Sequence, residues 1–134
     1  MRRWLAWGIV IVFALSVAIS FRSHRKSEAR RGREARYAAI LNGYVQDLKP
    51  GMTRKQVEDY LRLRGSRFTQ GSVSGNAFTD FVKIGEEEAP WFCSENWVHI
   101  AFEFAAAQAH DALEAYDGDV LKTVTIFRQL GGCL

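Results

Sequence analysis

Hydrophobic and polar positions follow three rhythms along the chain. From Trp4 to Phe21, "WLAWGIVIVFALSVAISF", eighteen residues pass without a formal charge. As a helix this run covers about 27 Å, close to the hydrocarbon thickness of a bilayer, and predicts a membrane span. Trp4 and Trp7 then fall near one interface, where amphipathic rings are favoured. A cleaved signal peptide is the alternative, with Ala18-Ile19-Ser20 as a small-x-small site. The length of the apolar run and the basic stretch directly after it favour a retained anchor over residues 1–21. No cysteine closes the run, which speaks against a bacterial lipoprotein anchor.

The second rhythm is helical. Tyr37, Ile40, Leu41, Tyr44, Val45 and Leu48 recur at helical spacing and predict a helix that begins in the preceding arm and ends near Asp47. Pro50 stops it, because proline has no N–H to donate and disfavours helical geometry at Lys49. The next stretch, "LKPGMTRKQVEDYL", is dense with boundary signals. Pro50-Gly51 makes a turn, Thr53 is the N-cap of a second helix, and Gln56 completes a capping box. Met52 and Val57 hold the positions of a hydrophobic staple, and Gly65 supplies a left-handed stop. Arg62 and Arg64 sit where the helix dipole favours cations. A helix of about eleven residues needs such ends to form at all.

After Gly65 the period shortens to two. Residues 66–70 suggest a short strand, 71–76 a loop, and 78–84 a second strand, followed by the acidic connection "GEEEAP". Between Trp97 and Phe104, Val98, Ile100, Phe102 and Phe104 alternate with His99, Ala101 and Glu103. Residues 120–130 form a last, β-branched strand. The pattern predicts an α+β domain over residues 37–134, with two helices on a sheet of three or four antiparallel strands.

Charge divides the chain at the same places. Residues 1–36 hold nine Lys/Arg against Glu28 and Glu34, whereas residues 37–134 hold nine against thirteen acidic residues. The basic surplus belongs to the arm 22–36, and the acidic domain is not one that grips a nucleic-acid backbone. Arg22, Arg25, Lys26, Arg30, Arg31 and Arg33 either form a solvated helical stalk that fixes topology or bind anionic lipid headgroups. The positive-inside bias, taken alone, places the domain in the cytoplasm.

The stretch "LKPGMTRKQVEDYL" with Gly65 resembles the SmpA/OmlA (BamE-like) family of small envelope modules, in which a Gly-Met-Thr turn opens a short helix before the strands. The resemblance in layout covers roughly residues 37–130, and the motif itself under twenty residues. It implies two helices on a three-stranded antiparallel sheet, similar to β-lactamase-inhibitor-protein repeats. It also implies a non-enzymatic role in binding other envelope proteins. The chain departs from that pattern in its basic stalk, in "PWFCSENW" and in the "GGCL" segment.

Cys93 and Cys133 are the two cysteines. If strands 97–104 and 120–130 form a hairpin with Phe104 opposite Val120, a shift of one residue on each strand brings the thiols face to face at its open end. A disulfide there points to an oxidising, extracytoplasmic compartment and opposes the charge bias. We give the cysteines the greater weight and expect a periplasmic domain.

No metal or cofactor signature is present: the cysteines are far apart in sequence, and His110-Asp111, Glu114 and Asp117-Gly118-Asp119 lack calcium-loop spacing. No phosphate loop, nucleophile elbow or Ser/His/Asp arrangement appears, and six residues of strand separate Cys93 from His99 by about 20 Å. No motif identifies a small-molecule substrate. The expectation is a single-pass, non-enzymatic protein-interaction module. Its candidate contacts are Trp91, Phe92, the acidic Glu86, Glu87 and Glu88, and the sheet face bearing His99.

Overall fold

The computed structural model describes residues 2–72, 78–107 and 115–134, with side chains from residue 22 onward except Ser72. It divides into two units, Met1–Ala38 and Ala39–Leu134. Helix α1, Arg2–Asp47, makes up the first unit and supplies the opening turns of the second. Among the described residues no helix is long and apolar enough to cross a membrane. The side chains of the uncharged run Trp4–Phe21, on which the expected span rests, lie outside the described residues.

The second unit is an α+β fold. Helix α2 (Arg54–Leu63) is followed by β1 (Thr69–Ser72), β2 (Phe78–Glu86), β3 (Glu95–Ala105) and β4 (Val120–Gly131). The strands form one antiparallel sheet in the order β1-β2-β3-β4, one strand more than the family resemblance implies. Tyr44 and Leu48 from the end of α1 and Val57 and Leu61 from α2 pack on Val82, Ile100, Phe102, Phe104 and Leu121 of the sheet. Ile40, Leu41, Met52, Phe68 and Ile84 close the margins of this core. Val45, expected in the stripe, is instead exposed. Val98, Ile100, Phe102 and Phe104 of β3 are buried as the sequence predicts, but His99 and Ala101 between them are buried as well, so burial does not alternate there.

Boundaries moved where side-chain chemistry was ambiguous. β1 starts at Thr69 rather than residue 66, because Phe68 packs against the helix-side core. β2 runs through Gly85 and Glu86, which the acidic composition had suggested as loop; a register shift between Lys83 and Gly85 lets the ladder continue to Trp97. The β3–β4 register places Glu95 opposite Gly131 and Glu103 opposite Thr123, then slips by one residue so that Phe104 faces Leu121. Continued past Glu95 and Gly131, the main register puts Cys93 opposite Cys133.

Candidate functional site

The β3–β4 hairpin has two ends, and they differ in kind. At one end the turn before α2 lies against the first residues of β4. The Gly51 amide donates to the Leu121 carbonyl (2.8 Å), the Leu121 amide to Met52 (2.7 Å), and Thr53 forms a bridge with Val120. The α2 N-terminus is then fully capped. Gln56 N–H donates to Thr53 Oγ1, Thr53 N–H donates to Gln56 Oε1, and the Arg54 and Lys55 amides donate to the carbonyls of Asp119 and Asp117. Gly65 has φ +66°, the left-handed stop. All five helix-boundary residues, Met52, Thr53, Gln56, Val57 and Gly65, thus bound α2 or pack it on the sheet.

Behind this cap lies a cluster that the sequence reading missed. Arg54 is completely buried. One guanidinium nitrogen donates to Asp80 Oδ1 (2.7 Å), and the other donates to the Phe78 carbonyl (2.6 Å) and lies 3.8 Å from Asp119 Oδ2. Its plane rests over the Phe104 ring at 4.1 Å. Burial raises the Asp80 carboxyl to about 6, opposed by the Arg54 charge and reinforced by nearby Glu58. Glu58 in turn holds Arg62 (2.6 Å) and accepts from Gln70 (3.0 Å). A cationic residue on the first turn of α2 reads as a solvated position in sequence; only the approach of β2 and the β3–β4 connection encloses it. With both carboxylates enclosed, this cluster ties α2 to the sheet and offers no surface to a substrate.

The other end is closed covalently by a disulfide between Cys93 and Cys133. Further bonds support it: the Ser94 amide donates to the Gly131 carbonyl (3.1 Å) and the Leu134 amide to the Phe92 carbonyl (2.9 Å). Gly132, at φ +59°, leaves no room for a side chain, since a Cβ there would meet the Ser94 hydroxyl at 2.1 Å. Upon this fixed segment Trp91 is 91% exposed and Phe92 41%, with their rings edge-on at 5.7 Å. Of the acidic run, Glu86 pairs with Lys83 (3.1 Å) and Glu87 with Arg128 (3.7 Å), while Glu88 is exposed. Glu87, Glu88, Trp91 and Phe92 thus share the β2–β3 connection, while Glu86 closes β2 opposite Trp97.

His99 belongs elsewhere, on the sheet face away from the helices, and it is buried there although no helix among the described residues covers that face. The ring of Phe81 lies 5.9 Å from it and that of Trp97 6.3 Å, and Phe127 meets Phe81 at 5.3 Å. Burial, helped by the Lys83 charge, lowers the His99 pKa and keeps the imidazole neutral. Among the described residues its Nδ1 has no hydrogen-bond partner. The neighbours Phe81, Trp97 and Phe127 were legible as strand residues, but their meeting on one face depends on the pairing registers. With Cys93 bonded to Cys133, no thiol is available to His99.

In the arm, Arg22, Arg25, Lys26, Arg30, Arg31 and Arg33 are exposed on α1. Of the acidic run that lacks calcium-loop spacing, His110, Asp111 and Glu114 lie outside the described residues, and Asp119 is buried beside Arg54. Among the described residues no group of three or more His, Cys, Asp or Glu is placed to hold a metal ion. Comparison with family models, with curated proteins and with solved structures finds no match.

Proposed function

We propose that this protein is a membrane-anchored, non-enzymatic interaction module of the bacterial cell envelope, similar in role to SmpA/OmlA modules. Residues 1–21 anchor it, residues 22–36 form a basic stalk, and the α+β domain faces an oxidising compartment. The observation that carries this reading is the Trp91–Phe92 pair, solvent-exposed on a segment that a disulfide and backbone hydrogen bonds fix in place. Large aromatics held rigid are suited to anchoring a protein partner, because little conformational entropy is lost when they dock. Glu88 beside them favours a partner that presents an apolar pocket with a basic rim.

A second reading has its own support in the seven exposed cations of the arm, Arg36 among them. In it the domain faces the cytoplasm and the arm binds anionic headgroups, each cation near the surface contributing about 1 kcal/mol. Maleimide labelling of Cys93 and Cys133 in intact cells separates the two. Thiols blocked until a reductant is added support the envelope module. Thiols that react without reductant, and only after the membrane is permeabilised, overturn it in favour of the lipid-reading arm.

A further inference from the structure

The sheet face away from the helices carries a recess of about 320 Å³ lined by Arg67, Thr69, Phe81, Lys83, Trp97, His99 and Gln129. That volume lies at the lower end of the range for small-molecule sites, about 300–1,000 Å³. The recess draws on all four strands and the segment before β1, so its shape is set by the ladder rather than by a loop.

Three features converge on one ligand chemistry. Phe81 and Trp97 supply flat apolar surface, backed by Phe127. Arg67 is exposed and forms no ion pair among the described residues, whereas Lys83 is already engaged by Glu86 at 3.1 Å and by the Trp97 ring at 5.1 Å. A free guanidinium beside an aromatic wall is matched to a carboxylate, which it can grip through two parallel N–H bonds. His99, a neutral imidazole nine-tenths buried, adds a polar group whose hydrogen-bonding capacity the protein leaves unused at Nδ1. Buried polar groups without partners are uncommon in folded proteins, and a ligand that re-seats the ring relieves this one.

We propose that this recess binds a small, flat aromatic carboxylate, with the ring on Phe81 and Trp97, the carboxylate on Arg67, and His99 as a polar contact. The site is separate from the Trp91–Phe92 pair, and either can fail without the other.

The test uses the full chain in neutral-lipid nanodiscs, with 1-naphthoate as probe and 1-naphthamide as its uncharged counterpart. The chain has three histidines, His24, His99 and His110, so ¹⁵N resonances of the imidazoles report on His99 individually. The expected result is a saturable shift of the His99 signal with 1-naphthoate, while His24 and His110 stay in place. Replacing the exposed Arg67→Gln should weaken binding about tenfold without disturbing the fold, as loss of one charge-assisted contact does. 1-Naphthamide should bind at least as weakly as the variant binds the acid. An unmoved His99 signal at saturating probe, equal affinity in Arg67→Gln, or equal binding of the amide each overturns the assignment.

Discussion

The two ends of the β3–β4 hairpin solve the same problem, fastening distant segments, by opposite means. At the α2 end the fastening is non-covalent and enclosed: Arg54 is buried against Asp80, Asp119 and the Phe78 carbonyl, and the helix amides are capped. At the Cys93–Cys133 end it is covalent and open, and the neighbouring Trp91 and Phe92 remain in solvent. A buried ionic cluster offsets its desolvation only where close pairing and further hydrogen bonds satisfy its charges, so its end of the molecule is committed to the core. A disulfide needs none, because it acts chiefly by restricting the unfolded chain. The covalent end is thereby free to display large aromatics without losing its shape, which is why the docking surface is assigned there.

The largest effect expected from breaking this contrast is at Arg54. Arg54→Ala leaves Asp80 and Asp119 buried without their cation and should lower unfolding free energy by about 3–5 kcal/mol in urea titrations. Replacing Cys93 and Cys133 together by Ser should cost about 3–4 kcal/mol, for a closed loop of some forty residues. Unlike Arg54→Ala, that double variant should lose hydrogen-exchange protection first around residues 92–95 and 131–134, with α2 protected.

The pH dependence sharpens the same distinction. Asp80 has its pKa raised to about 6 in the folded protein, so the folded state binds the extra proton between roughly pH 4 and 6. Its contribution is fully present below pH 4 and is lost as pH rises through 6, an effect on the order of 3 kcal/mol. Unfolding free energies measured from pH 4 to 7 should show that decline in the wild type and a flatter profile in Asp80→Asn. Smaller again is Thr53→Ala, which removes the capping hydroxyl and should cost about 1 kcal/mol.

How much of this was legible in the sequence follows the same division. The capping box, the stop at Gly65 and the buried apolar positions of β3 depend on near neighbours, and each is where the sequence placed it. The disulfide was reachable because one hairpin register fixes both cysteines at once. The Arg54 cluster was not, since its acidic partners arrive from β2 and from the residue before β4, and no local pattern marks a charged residue as buried. The Phe81–His99–Phe127 cluster stayed hidden for a related reason. It needs the registers of two separate strand pairs, and a one-residue slip in either sends a ring to the other face.

The central claim, that the covalent end carries the docking surface, is tested most directly by photo-crosslinking in native membranes. A photoreactive residue is placed at position 91 and, in parallel, at position 55, an exposed site on α2 at the other end. Trp91 is solvent-exposed, so its replacement should change stability by no more than about 0.5 kcal/mol. The account predicts one discrete adduct from position 91, lost when Cys93 and Cys133 are replaced, and none from position 55. Adducts of equal yield from both positions, or none from position 91, would contradict it.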